Sequence, residues 1–331
     1  MLTAAVIGCG LGGKLSLDAL HQSSGYRVVA ASDISVAAGR TAAGRFPGLR
    51  VYEDYREMIS RHPVDVVCIA TPAPTHEPVA RDVMNHGVRG LLLEKPVACD
   101  VTTAEKLLAD VVSAQLPLVV PHGMLVLPAP VDVKRQVQSD AVGRITRMDV
   151  TNAVDLLNGG IHWLVFLLDV LGNDRVGQLT ASFDVDGRIV NDGVHVESRG
   201  TTHLTTQSGI RITLQSGIRT RPTSDILPLD QQRGAIFRIR GSAGDIEFSA
   251  WAGSYWLGSD SGGELVRCVA ESDPRYHQVF LDRLAEQIAG PKPDYYSAEL
   301  SVAALRLIET AYQSHDGDDW PLGQPLGSQV N

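Results

Sequence analysis

The stretch TAAVIGCGLGG, Thr3 to Gly13, decides the fold. Thr3–Ile7 reads as a short buried strand, followed by a glycine turn and a helix that starts near Leu11. Gly8, Gly10 and Gly13 fit G-x-G-x-x-G. The first permits a tight turn, the second lets backbone approach a pyrophosphate, and the third lets helix pack close to strand. The N–H groups at the helix start, around Leu11 and Gly12, offer a phosphate free donors and the positive end of the helix dipole. Glycines alone also suit any tight strand-to-helix turn. Asp33 narrows the reading. It follows a second apolar run, Tyr26–Ser32, and stands about 20 residues beyond Gly13, where a carboxylate would accept hydrogen bonds from an adenosine ribose. Strand, glycines, helix, strand and acid in this order predict a dinucleotide site.

Further along, Ser35–Arg45 and Glu53–Arg61 read as helices, and Val64–Ala70 as a continuous apolar run suited to a parallel strand covered on both faces. It stops at Thr71-Pro72. Pro78–Gly87 reads as a helix, Arg89–Leu93 as a strand, Thr102–Ala114 as a helix and Leu116–Val120 as a strand, with Glu94-Lys95-Pro96 after the second of these strands. This alternation predicts an α/β fold with a doubly wound parallel sheet. Ligands bind such sheets beyond the carboxyl ends of the strands. The glycine turn, Asp33, Thr71-Pro72 and Glu94-Lys95-Pro96 all fall at such ends.

The pattern changes near residue 122, which predicts a dinucleotide-binding domain over 1–122 and a second domain over 123–331. Val131–Ser139 reads as a helix, Arg144–Asn152 as a strand, and Asn158–Leu171 as a helix ended by Gly172. Period-two alternation follows, as in Ile210, Ile212 and Leu214 against Arg211, Thr213 and Gln215, and predicts a large, mostly antiparallel open sheet. Tyr276–Ala289 and Ser297–Ser314 read as closing helices.

Lys and Arg number 29 against 38 Asp and Glu, a formal net charge of −9, with no basic stripe. Nucleic acid is therefore not an expected partner. The four cysteines, Cys9, Cys68, Cys99 and Cys268, show no C-x-x-C spacing and suggest a reduced compartment, and no metal site is expected. No basic segment precedes the first strand, and Ile161–Leu171, the most apolar long stretch, is too short to span a bilayer. A soluble cytoplasmic protein without a membrane partner is the expectation.

VIGCGLGG, Asp33, IATPAPTHEPVA (Ile69–Ala80), LLLEKPV (Leu91–Val97), VGRITRMDV (Val142–Val150), GGIH (Gly159–His162) and IRGSAGDIEF (Ile239–Phe248) together resemble the Gfo/Idh/MocA oxidoreductases. The resemblance implies an N-terminal Rossmann domain, a C-terminal α/β domain with the open sheet, and a site between them. It assigns Lys95 and His162 to proton transfer and Asn158 to the same site. It places Glu94 near the nicotinamide ribose, lines the cofactor with Thr71, Pro72 and His76, and implies a cis bond before Pro96. Substrate contacts are expected from Lys95, His122, Asn158 and His162.

The chain departs from the family's pattern in two places. Asn158 stands where the family usually has Asp, and an amide cannot take a proton. Leu125–Pro128 replaces the usual Arg-Phe-x-Pro. The expected activity is NAD-dependent oxidation or reduction at a secondary alcohol or ketone of a sugar, cyclitol or polyol. NADP is the less expected cofactor, because Asp33 would repel a 2′-phosphate and Ile34 brings no positive charge. Two alternatives are a glycosidase-type enzyme with no net redox, and a dinucleotide-sensing regulator without turnover. An uncovered apolar sheet face, with the family's habit of packing this sheet against its copy, predicts a homodimer or homotetramer.

Overall fold

The computed structural model describes residues 1–184, 189–191, 193–217, 224–228, 234–268 and 276–315. These residues fall into two compact units. One takes those of Met1–Pro121 and Arg275–Val302, the other those of His122–Pro274 and Ala303–Asn331.

The first unit opens with β1 (Leu2–Ile7), α1 (Leu11–Gln22), β2 (Tyr26–Ser32), α2 (Val36–Arg45), β3 (Arg50–Tyr52) and α3 (Tyr55–Arg61). It continues with β4 (Val66–Ile69), α4 (His76–Met84), β5 (Gly90–Leu93), α5 (Val101–Ser113) and β6 (Leu118–Val119). All six strands are parallel, in the order β3-β2-β1-β4-β5-β6. The order reverses between β1 and β4, the switch point where doubly wound sheets bind ligands. Val66–Ile69 and Leu91–Leu93 are wholly buried, as expected of strands covered on both faces.

Side-chain caps fix several helix starts. Ser35 accepts from the amide of Ala38, Asp54 from that of Arg56, and Asp100 from that of Thr103. Gly8 has φ +92°, and a Cβ there would run into the Ala70 carbonyl of the neighbouring strand end. A Cβ on Gly13 would strike the Gly8 carbonyl. Both glycines are thus required by close backbone approach.

The second unit contains α6 (Pro128–Gln138), β7 (Ile145–Thr151), α7 (Ile161–Leu171) and β8 (Val176–Asp184). A two-stranded pair follows, β9 (Ile189–Asn191) with β10 (Val194–Val196). Then come β11 (Arg199–Thr206), β12 (Arg211–Ser216), β13 (Ile236–Gly241), β14 (Gly244–Ser249), β15 (Ser254–Ser259) and β16 (Gly262–Arg267). The main sheet runs β16-β15-β14-β13-β7-β12-β11-β8, antiparallel except for the β7–β12 pair. Met148, Val150, Ile212, Leu214, Phe237, Ile239, Ile246 and Phe248 are buried on one face. Phe237 and Phe248 stack at 4.7 Å, and Trp163 and Phe166 of α7 meet Phe237 edge-on. Every residue from Ile161 to Leu167 is buried, so α7 is a core helix rather than an amphipathic one.

Three expectations are corrected. First, the uncovered apolar face does not exist among the described strands. Most residues opposite the buried set are polar, with Ile236, Trp256 and Leu265 as apolar exceptions, and registered rows such as Thr213–Asp149–Arg238–Glu247 cross four strands. Arg147 pairs with Asp149 at 2.7 Å and Arg238 with Glu247 at 2.9 Å. Period two separates the two faces, so the apolar half is spent on the core.

Second, the helix expected from Asn158 begins at Ile161 and is preceded by a π-helical turn, Leu156–Gly160. Asp155 caps that turn, and a Cβ on Gly159 would collide with Val154. Third, a single division at residue 122 is not what the chain does. Helix α8 (Tyr276–Ala289) packs in the first unit, and the following helix α9 (Tyr296–Gln313) starts there. His277, Phe280, Leu281 and Leu284 form the buried stripe of α8, and a Cβ on Gly90 of β5 would touch Leu284 and Ile288.

Candidate active site

The first unit gathers its candidate residues along one line. Ser32, Ile7, Ile69 and Leu93 are register partners across β2, β1, β4 and β5. The residues that follow them, Asp33, Gly8, the Ala70–Thr71 step and Glu94, therefore leave the sheet in one row at its carboxyl edge. Asp33 is tied to the glycine turn, since its Oδ2 accepts from the Cys9 amide at 2.6 Å and its Oδ1 from the Ser35 amide at 2.7 Å. Burial and the Asp33 charge push the Cys9 thiol up to about 11, so it stays protonated. Gly10 caps α1 without a side chain, and a Cβ placed on it would meet nothing within 4 Å. Leu11, the first residue of α1, is exposed. Open space above the second glycine and a helix N-terminus beneath it fit a pyrophosphate.

Glu94 lies against this turn. A Cβ on Gly12 would be 2.9 Å from Glu94 Oε1. The Lys95 amide donates to Glu94 Oε2 at 3.3 Å, and His277 Nε2 stands 3.2 Å from Oε1. Burial raises the Glu94 carboxyl, but the close contact with His277 and the nearby charges, Lys95 among them, outweigh it and hold the group below its ordinary value. The Lys95-Pro96 bond is cis, as the resemblance implies.

Thr71 and Pro72 lead into a 3₁₀ turn, Ala73–Thr75, where the Thr75 hydroxyl donates to Thr71 Oγ1 at 2.8 Å. His76 is buried, with Nδ1 2.6 Å from the Pro96 carbonyl and Nε2 2.7 Å from the Thr71 carbonyl. Burial pushes its pKa down although both carbonyls favour the charged ring. A neutral imidazole has one N–H, so it satisfies one carbonyl at a time. The side chain braces the two loops and does not project from them.

The second unit holds the other residues. His122 is fully buried, its Nδ1 3.2 Å from Nδ1 of His162 and the rings 5.1 Å apart at 74°. Two facing Nδ1 atoms make a hydrogen bond only when one carries the hydrogen. His162 also meets Trp163 and Trp251. Asn158 is held by Asp155, whose Oδ1 accepts from the Asn158 amide at 2.6 Å and from Nδ2 at 3.0 Å. Asp155 Oδ2 accepts from Asn191 Nδ2 at 2.9 Å. The structure thus brings His122 to His162, and Asn158 to Asp155.

Sequence reading missed Ser16 and His277 beside Glu94, and Asp155 and Glu197 beneath Asn158. A signal for His277 existed, a histidine within the apolar stripe of an otherwise regular amphipathic helix. Among the described residues there is no group of three or more His, Cys, Asp or Glu that could hold a metal ion. Nor is any helix among them long and apolar enough to cross a membrane.

Residues 2–122 match the model of the GFO_IDH_MocA family, "Oxidoreductase family, NAD-binding Rossmann fold". D-apiose dehydrogenase of Paraburkholderia graminis is 27% identical over 263 residues, 74% of this chain and 67% of that protein. Inositol 2-dehydrogenase of Rhodococcus erythropolis is 36% identical over 100 residues, 30% of this chain and 29% of that enzyme. KijD10, a 3-ketoreductase of Actinomadura kijaniata solved with NADP, superposes with a TM-score of 0.79 at 20% identity, covering 95% of this chain and 97% of its own. At that identity the likeness shows the fold alone. The family match over residues 2–122, with a relative aligned along most of the chain, makes this protein similar to the Gfo/Idh/MocA oxidoreductases.

Proposed function

We propose that the protein is a dehydrogenase or reductase that uses NAD and acts on a secondary alcohol or ketone of a sugar, cyclitol or related polyol. The row of strand ends that presents the glycine turn, Asp33, Thr71 and Glu94 together carries this reading. D-apiose dehydrogenase and inositol 2-dehydrogenase support the substrate class. Leu11, Gly12 and Gly13 would offer their amides to the pyrophosphate, and Asp33 would receive the adenosine ribose. Both Asp33 oxygens already accept one backbone N–H, and a carboxylate oxygen has capacity for another donor. That fixed negative charge favours NAD over NADP.

Bound nicotinamide supplies the hydride chemistry. The chain's own residues hold the substrate and move its proton. Lys95 and His162 act as the proton-transferring pair, with Asn158 orienting a substrate hydroxyl. The buried His122 serves His162 rather than substrate, because the Nδ1–Nδ1 contact couples the two rings: one Nδ1 carries hydrogen and the other accepts it. Pro72 shapes the loop that would border the cofactor, and His76 holds that loop to Pro96.

A screen of sugars and cyclitols with NAD⁺ and NADP⁺, read at the nicotinamide absorbance band, tests the proposal. Net reduction with at least one polyol, faster with NAD⁺ than with NADP⁺, is expected. Asp33→Ala should narrow the preference. Absence of reduction across the screen refutes the substrate class, and tighter NADP binding refutes the cofactor assignment. The homo-oligomer expectation is kept in altered form, as association through the charged rows of the main sheet rather than an apolar face.

A further inference from the structure

We propose that Ser16 and His277 are positioning residues for Glu94, fixing its carboxylate over the glycine turn to receive the cofactor's nicotinamide-side ribose. This rests on the dinucleotide reading above. Ser16 of α1 is fully buried, and its hydroxyl stands 3.1 Å from Nδ1 of His277 on α8. Nε2 of the same ring is 3.2 Å from Glu94 Oε1. One imidazole therefore joins the dinucleotide-binding helix, the end of β5 and a helix from the far end of the chain. The Nε2–carboxylate approach is an ion-pair contact, not a hydrogen bond with good geometry, and Ser16 accommodates either state of Nδ1, because a hydroxyl both donates and accepts.

Docking of α8 does not need this chain. Phe280, Leu281 and Leu284 are buried, Leu284 and Ile288 pack beside Gly90, and the Tyr26 hydroxyl donates to the Leu281 carbonyl at 2.6 Å. Burying a serine, a histidine and a carboxylate among these apolar groups is unfavourable unless each is satisfied. An apolar residue at 277 would dock the helix as well. Histidine at 277 adds a fixed direction for the Glu94 carboxylate and a contact that keeps it ionised beside the turn. His76, Lys95, Tyr276 and Cys68 are other titratable groups that interact with Glu94. Of these, His76 and Lys95 also favour the charged form.

The test titrates NAD⁺ and ADP by calorimetry into the wild type, His277→Ala, His277→Gln, Ser16→Ala and Tyr26→Phe. ADP shares the adenosine and pyrophosphate but lacks the second ribose. Loss of this buried contact to a charged group should weaken NAD⁺ binding by about tenfold or more in His277→Ala, with ADP binding unchanged. His277→Gln, which can donate to Glu94, should recover most of the loss. Ser16→Ala should lose several-fold for NAD⁺ only. Tyr26→Phe should lower the melting temperature and leave NAD⁺ affinity intact, since it loosens α8 without touching Glu94. Should His277→Ala fail to fold, the glutamine and Ser16 variants carry the comparison.

Equal losses for NAD⁺ and ADP, no loss in any variant, or a Tyr26→Phe variant that mimics Ser16→Ala overturns the positioning role alone. A wild type that binds neither NAD⁺ nor NADP⁺ overturns the dinucleotide reading and this inference with it.

Discussion

Glu197→Gln gives a stability test with a fixed direction. Glu197 is buried, and its Oε1 accepts from the Leu156 amide at 2.6 Å and the Ser216 hydroxyl at 2.5 Å. Its Oε2 accepts from the Tyr312 hydroxyl at 2.7 Å. These donors are all neutral. Burial, helped by the nearby Asp155 charge, pushes the carboxyl up from 4.5 to about 7, against the opposing bonds from Ser216 and Tyr312. The folded value lies above the unfolded one, so the protonated acid favours the fold. Its contribution is full below about pH 4.5 and is lost as pH rises to about 7. At 1.36 kcal/mol per pKa unit, the loss is about 3 kcal/mol.

Glutamine keeps the shape and stays neutral. Its carbonyl can accept from Leu156 and Ser216, and its amide can donate to the Tyr312 oxygen. Urea unfolding of wild type and variant between pH 5 and 8 measures the difference. Trp163, Trp251 and Trp256 lie in the second unit, so their fluorescence reports the unit that holds Glu197. The balance should move by about 2–3 kcal/mol in favour of the variant across that range. A difference that stays constant with pH refutes the reasoning, and a balance moving toward wild type refutes its sign.

Lys95→Ala and His162→Ala should each cut turnover by about a hundredfold to ten-thousandfold with NAD binding retained. Steady-state rates near wild type in both would place the acid–base groups elsewhere. Asn158→Asp puts a second carboxylate where Nδ2 now lies 3.0 Å from Asp155 Oδ1. Two like charges at that distance resist joint ionisation. The variant should therefore lose stability as pH rises through neutrality, and an unfolding curve at pH 9 equal to wild type would break the Asn158–Asp155 assignment. If the charged rows of the sheet mediate association, light scattering should find an oligomer at micromolar concentration that dissociates as salt rises. A monomer at low salt would sink that idea.

What the sequence made legible was local. The glycine turn, Asp33 and Glu94-Lys95-Pro96 are short motifs at set spacing, and parallel registration turns their sequence order into one spatial row. Strand alternation gave the second sheet, and α8 runs over Tyr276–Ala289 as its apolar spacing indicates. What stayed hidden depends on distant partners. Ser16 and His277 are 261 residues apart and meet only because α8 packs on the first sheet. The π-helical turn follows from Asp155 capping Leu156–Gly160 and from the crowding of Val154 at Gly159, neither of which disturbs the apolar spacing around Asn158. The sheet face was misread for a related reason. Alternation reports that two faces differ, while the character of the outer one lies in rows assembled across strands.

Glu94 and Glu197 show why burial by itself assigns no role to a carboxyl. Burial is the largest influence on both, and in both it opposes the charge. Glu94 is nonetheless held ionised, because the Lys95 amide donates to it and His277 and Lys95 set favourable charge against it. Glu197 has hydroxyls, one amide and a neighbouring carboxylate, and it is pushed toward the neutral acid. A protein that needed only a buried strut at position 94 would be served by the second arrangement, which requires no cation. Placing a charged carboxylate beside the N-terminus of α1, with a histidine from α8 set against it, is instead the arrangement that can receive hydroxyl donors from a ligand lying on the glycine turn. Glu197 supports the turn that carries Asn158 and is best suited to that task uncharged. The two glutamates therefore call for opposite tests: neutralising Glu94 by Glu94→Gln should weaken NAD binding, whereas neutralising Glu197 should strengthen the fold above neutral pH.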